Sequence, residues 1–332
     1  MISRLHMKKH KRIYKSKLLW FLVILLAFIY INNSSLLVRD EDERPFLLAH
    51  RGLAQTYPME GMTGDTNTAR IIYEPEHPYL ENTIPSMQAA FDAGADMVEL
   101  DVQLTKDGQF AVFHDATLEH RTDGQGTVRD HTMEELKQLD IGYGYTADNG
   151  ETYPFRGKGI GLMPSLDEVL ESFPDKMLLL NIKSNDPVEG QALAEYLKKL
   201  PKERLEKLAV YGGDEPIRVL EQELPDLRVM SRAIIKRMLL PYVLVGWTGY
   251  VPKSMRDTFF YLPEKYAKFL WGWPNRFVER MKDNNTIFVL VAGSGEWSEG
   301  FDTVESLEDL PKGYKGGIWT NRIDRIGPVY VK

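Results

Sequence analysis

MVELDVQLT at 97–105 alternates in character at every step from Val98 onward, and its reading decides the fold. Successive side chains of a β-strand point to opposite faces, so Val98, Leu100, Val102 and Leu104 share one face and Glu99, Asp101 and Gln103 the other. The apolar face suits packing on helices. The acidic face must then point into the interior of a barrel, where two carboxylates one pleat apart repel unless positive charge lies between them. A hard divalent cation, Mg2+ or Ca2+, takes oxygen ligands and relieves that repulsion. The bland alternative is an edge strand with a solvated polar face, which the flanking apolar runs and nearby histidines disfavour.

Two neighbouring runs end in histidine: FLLAHRG at 46–52 and FAVFHD at 110–115. By parity His50 shares a face with Phe46 and Leu48, and His114 with Phe110 and Val112. Two imidazoles at one rim beside paired carboxylates form a candidate acid/base couple. Arg51 can fork onto a phosphate or carboxylate, and Gly52 permits a tight exit from the strand. In MLLLNIKS at 177–184, Asn181 and Lys183 are two apart and both can face inward, the lysine supplying charge for an oxyanion. One cation, two proton-transfer histidines and two cationic side chains suit cleavage of a phosphodiester. No G-x-S-x-G elbow, P-loop or Rossmann glycine fingerprint competes.

Working outward, the pattern predicts strands at 46–50, 96–104, 110–114, 177–182, 207–211, 227–231, 286–291 and 317–320. Helical patterns fall at 83–93, 133–139, 166–172, 189–199, 216–223 and 275–283, the first capped by Asn82 or Thr83 and closed by Gly94. Strands alternating with helices give an α/β fold, a TIM (β/α)8 barrel over 46–332. Two insertions, 53–80 and 232–285, are too long for simple connections. The second holds Trp247, Trp271 and Trp273, either as a helical subdomain burying its own aromatics or as an apolar rim for an acyl chain or membrane surface.

The chain has 332 residues and no cysteine, which excludes disulfides, thiolate nucleophiles and zinc–cysteine sites. Its net charge of −7 hides an asymmetry: residues 1–39 hold eight Lys/Arg and no acid, and the remainder carries −15. A body that acidic excludes nucleic acid as a partner. Residues 1–17 form a basic terminus, 18–32 an apolar segment beginning LLWFLVILLAFIYI, and 33–45 a linker ending DEDERP. The segment is short for a full span of about 17–25 residues, and no A-x-A-like cleavage signal follows it. It is read as a transmembrane signal anchor in preference to a removed signal peptide. The basic flank makes this a single-pass membrane protein, N-terminus cytoplasmic and barrel extracytoplasmic, periplasmic or extracellular.

These residues together resemble the glycerophosphodiester phosphodiesterase family: HRG at 50–52, ENT at 81–83, GAD-x-x-E-x-D at 94–101, T-x-DG at 105–108, HD at 114–115, RTDGQGTV at 121–128 and PSLDEVL at 164–170. A weaker echo returns in GGIWTNRID at 316–324. The resemblance implies a TIM barrel, a divalent metal, and hydrolysis of a phosphodiester, small or lipid-derived, to glycerol phosphate and an alcohol. It implies His50 and His114 as the acid/base pair, Arg51 as phosphate contact, Glu81, Glu99 and Asp101 as metal and site carboxylates, and Lys183 as the fourth-strand lysine. Three positions depart. The usual E-x-K is Asn181-Ile182-Lys183, so a neutral amide oxygen stands where a metal-ligating carboxylate is expected. PENT is LENT, and the terminal T-D is Thr320-Asn321. Alternatives left open are a lysophospholipase D-like lipid phosphodiesterase and a catalytically quiet barrel that binds a phosphorylated ligand.

Overall fold

The computed structural model describes residues 2–38, 44–64 and 66–331, with side chains from Ser16 onward. Of the expected linker, 39–43 lie outside the described residues. Nine strands form one sheet: β1 (Leu47–His50), β2 (Met97–Leu104), β3 (Phe110–Val112), β4 (Met177–Ile182), β5 (Leu208–Gly212), β6 (Arg228–Met230), β7 (Phe259–Pro263), β8 (Ile287–Val291) and β9 (Gly317–Thr320). The order β6-β5-β4-β2-β1-β9-β8-β7 is parallel throughout, and β6 lies against β7, so eight strands nearly close into a TIM barrel.

The helices are α1 (Ile2–Asn33), α2 (Ile84–Asp92), α3 (Met133–Lys137), α4 (Leu166–Ser172), α5 (Pro187–Leu197), α6 (Lys202–Leu205), α7 (Asp214–Glu223), α8 (Arg232–Val245), α9 (Glu264–Ala267), α10 (Asn275–Asp283) and α11 (Ile323–Tyr330). Local chemistry sets their ends. Thr83 caps α2 in a reciprocal box with Ser86, and Gly94 leaves it at φ 100°. Between strands and outer helices lies an apolar core, with Leu47, Val98, Leu100, Leu180 and Val210 buried. Fully burying each such side chain stabilises the fold by roughly 1.5–3 kcal/mol.

Two expectations are corrected. FAVFH is not a barrel strand: β3 runs antiparallel to β2, off the barrel path, and ends at Val112, so His114 sits on the loop beyond it. The missing eighth strand is β7, inside the stretch expected as a single insertion at 232–285, which also holds α8 and α9. The first insertion folds instead onto a satellite core, where Ala69, Ile72 and Leu80 pack with Phe113, Leu118, Met133 and Tyr145.

The apolar segment extends a longer helix than expected, α1, of which Ser16–Asn33 has the length and composition to cross a membrane and has no residue in the core.

Candidate active site

Strand register gathers the site. In the parallel ladders His50 lies beside Glu99, Asp101 beside Asn181, and Asn181 beside Tyr211, so inward-facing polar residues of four strands become neighbours at one rim. Both acids are fully buried. Glu99 Oε2 lies 3.8 Å from His50 Nε2, and Tyr211 donates its hydroxyl to Glu99 Oε1 at 2.7 Å.

Strict alternation would send Arg51 to the face opposite His50. Instead Arg51 takes φ 57° and Gly52 φ 79°, ending the strand and turning the guanidinium back over the rim. A Cβ on Gly52 would stand 2.5 Å from Ser86 Oγ, so only glycine fits this turn. Arg51 then meets all three acids: its backbone N–H donates to Glu99 Oε2 at 3.2 Å, Nη1 reaches Glu81 at 3.2 Å, and Nε lies 3.3 Å from Asp101.

Asp101 is the hub. Asn82 donates to Oδ2 at 2.8 Å, Asn181 to Oδ1 at 2.9 Å, and Lys183 Nζ lies 3.4 Å from Oδ1. Burial pushes this carboxyl up, but Lys183, His114 and Arg51 outweigh it and hold it well below the usual carboxylate range. Glu99 goes the other way: burial, then the charge of Asp101, push it up to about 8.

Hydrogen bonding sets the state of both imidazoles. Asn321 donates Nδ2 to Asp302 and to the Ser298 carbonyl, so its Oδ1 is the acceptor for His50 Nδ1–H at 2.6 Å. His114 Nδ1 faces the Asp115 carboxylate at 2.7 Å. Each ring thereby keeps Nε2 unprotonated when neutral. Burial, then the charge of Arg51, lower both pKa values, that of His50 well below the ordinary imidazole value. The His114 loop is pinned by Gln103, which donates to the Phe113 and Asp115 carbonyls at 2.8 and 2.9 Å.

The two histidines, Arg51, Asn181, Lys183 and Tyr211 open on one cavity of about 570 Å³, flanked by Tyr57 and Trp297. All eight residues singled out in the sequence are thus brought together. Glu81, however, is engaged by Arg51 and by Arg121 Nε at 3.3 Å, and Asn181 turns its NH2, not its oxygen, to Asp101. Among the described residues no group of three His, Asp or Glu is arranged as a metal cluster.

Sequence reasoning missed Arg121, whose guanidinium joins Glu81 and Asp115 and also donates to Thr68 Oγ1 and the Tyr145 hydroxyl. It also missed Tyr211, Asn82 as a ligand of Asp101, and Asn321 with Asp302. Arg121 opened a quoted motif and Asn321 was noted as a departure, but nothing in either string tells what it will touch. Glu76 accepts from Arg322 and Arg325 and so ties the first insertion to the start of α11.

An eight-stranded parallel barrel with a polar cup at the strand ends is the layout in which barrel enzymes carry their sites. Residues 50–270 match the glycerophosphoryl diester phosphodiesterase family, and the chain belongs to it. Among relatives, it is 48% identical over 103 residues to a glycerophosphodiester phosphodiesterase of Caldanaerobacter subterraneus subsp. tengcongensis, covering 31% of this chain and 39% of that one. It is 32% identical over 190 residues to rat lysophospholipase D GDPD1, covering 55% and 57%. The chain thus spans less than two thirds of either relative. The fold matches the glycerophosphoryl diester phosphodiesterase domain of a Mycobacterium tuberculosis protein with a TM-score of 0.61 at 19% identity, over 86% of this chain and 99% of that one.

Proposed function

We propose that this chain is a membrane-anchored hydrolase that cleaves glycerophosphodiesters to glycerol phosphate and an alcohol, with a divalent cation at Glu99 and Asp101. The observation that carries the reading is the pair of imidazoles, each with Nε2 free, opening on one cavity with Arg51 and Lys183.

The donor set fits a hard cation. Two buried carboxylates stand one pleat apart, and burial, then the charge of Asp101, push Glu99 up to about 8. Glu99 and Asp101 would hold Mg2+ or Ca2+, with Asn181 beside them able to offer a neutral oxygen. Bound there, the ion supplies Lewis-acid polarisation of the phosphoryl group. Glu81 orients Arg51. Arg51 and Lys183 bind the phosphate oxygens and offset charge that grows on them as water adds to phosphorus. One histidine accepts the proton of the attacking water at Nε2, and the other, protonated at Nε2, gives a proton to the leaving alkoxide. Helix α1 anchors the barrel on the extracytoplasmic side, its basic N-terminal flank staying in the cytoplasm.

Full-length protein in detergent should release glycerol phosphate from a glycerophosphodiester only with added Mg2+ or Ca2+, and H114A should be inactive. Equal activity in both proteins, indifferent to chelator, overturns the proposal. A lysophospholipase D-like specificity is the second reading, favoured by Tyr57 and Trp297 at the cavity and by the name of the rat relative. Turnover confined to acylated diesters would select it.

A further inference from the structure

Helix α1 does not leave the barrel freely; it is docked end-on. The Asn32 carbonyl, at its C-terminus, accepts from Arg280 Nη2 at 2.7 Å and from Arg276 Nε at 3.2 Å. Asn33 donates to the Trp247 carbonyl at 2.8 Å, and Phe28 meets the Trp247 ring edge-on at 6.3 Å. Arg280 is buried and also bonds the Tyr242 hydroxyl at 2.9 Å, so the helix end is built into the barrel wall around α8 and α10.

That docking fixes a depth. The apolar segment Ser16–Asn33 has 18 residues. At 1.5 Å per residue it measures roughly 27 Å, scarcely the ~30 Å of a hydrocarbon core. The whole segment is needed to cross, so Phe28, about 7 Å inside Asn33, lies within the bilayer's apolar or interfacial zone. Trp247, in contact with Phe28, lies there too.

The barrel surface beside this point has the matching chemistry. Along α8, Ile234, Met238 and Tyr242 face the core. Its outward stripe begins with Lys236 and Arg237 and continues, toward α1, as Leu240, Val243 and Leu244, exposed by 68%, 51% and 66%. Trp271, whose Nε1 donates to the Val243 carbonyl at 2.9 Å, joins this stripe to Phe269, which is 76% exposed. Lys268 stands over the Phe269 ring at 5.5 Å and Lys265 over Tyr266 at 5.1 Å. Aromatic rings with ammonium groups above them suit the headgroup layer, whereas the core of a protein–protein interface is depleted in lysine.

We infer that the barrel carries a second, monotopic membrane contact: the last two turns of α8 and the Phe269–Trp271 turn lie in the leaflet from which α1 emerges, and lipid covers them. This rests on the reading of α1 as a membrane anchor. The barrel is then held at two points, which fixes its orientation on the bilayer.

The chain has no cysteine, so single cysteines can be placed at will. Full-length L244C, F269C, V23C and I160C, each carrying an environment-sensitive fluorophore, are reconstituted into phosphatidylcholine–phosphatidylglycerol vesicles containing lipids with a nitroxide quencher on the acyl chain. Labels at 23, 244 and 269 should lose most of their emission and the label at 160, exposed near the satellite core, should keep it. A quenched label at 23 with 244 and 269 as bright as 160 overturns the inference and leaves the anchor standing; a bright label at 23 removes both. No arm depends on turnover, so failure of the proposed hydrolysis is read separately.

Discussion

Replacing Asn321 by alanine removes the acceptor that orients His50. The Nδ1–Oδ1 distance is 2.6 Å and both residues are buried, so the imidazole N–H loses its partner in a largely desolvated position. An unsatisfied buried donor costs about 1–3 kcal/mol. If that penalty falls on the transition state, where the ring must hold its tautomer and place Nε2, kcat/KM drops roughly 5- to 150-fold at 1.36 kcal/mol per decade. The assay is initial-rate glycerol phosphate release across pH 5–9, with thermal unfolding in parallel. N321A should lose kcat more than KM, since the mutated group touches no substrate. D302A should show a weaker form of the same defect, because Asp302 and Ser298 fix which end of the Asn321 amide faces His50. If N321A keeps kcat/KM within about twofold of the parent and an unchanged pH profile, His50 is not positioned for proton transfer as argued.

Further outcomes follow from the same geometry. Because Glu99 is held up to about 8, it is protonated at neutral pH without metal, and binding of Mg2+ or Ca2+ should expel close to one proton; calorimetry in two buffers of different ionisation enthalpy reads this, and E99Q should abolish it. R121M leaves the buried Glu81 with Arg51 alone and takes from Asp115 its guanidinium partner, at a cost of about 3–5 kcal/mol, and should lower Tm by roughly 10 °C. Burial pushes Asp115 up, but Arg121 and His114 hold it well below the usual range, so its contribution to stability is present at neutral pH and is lost as pH falls below its unfolded value toward the folded one. R121M removes that contribution and should therefore unfold at a higher pH in acid titration than the parent. G52A, forced to φ 79° with its Cβ 2.9 Å from the Ser86 carbonyl carbon, should lose about 1–3 kcal/mol and displace Arg51; differential scanning fluorimetry beside phosphate binding checks both.

The alternation of 97–105 was sufficient to turn Glu99 and Asp101 inward, because period two leaves an amphipathic strand a single way to bury itself. Eight residues named from their spacing and family likeness share one cup. What stayed hidden has physical causes. FFYLP at 259–263 is buried nearly throughout and does not alternate, so it read as part of an aromatic insertion and not as a barrel strand. FAVFH carried a warning that was missed: Thr105 N–H donates to the Gln109 carbonyl across a turn with Gly108 at φ 79°, a short connection that makes β2 and β3 a hairpin, whereas parallel neighbours need a long crossover. The partners of His50, Glu99 and Glu81 come from Asn321, Tyr211 and Arg121, up to 271 residues away; strand register brings in Tyr211, Asn321 follows the end of β9, and Arg121 arrives on the loop beyond β3. Asn181 was visible as a departure, but its hydrogen bond into Asp101 follows from the β2–β4 ladder.

The central claim is that His50 and His114 work as one couple over the Glu99–Asp101 pair. Its most direct test is single-turnover cleavage of a glycerophosphodiester by H50A, H114A and the double variant, at saturating Mg2+ or Ca2+. Each single variant should be slower by roughly 100- to 10,000-fold, and the double variant scarcely slower than either. Retention of parental rates by either single variant, or losses that simply multiply in the double, would contradict the account.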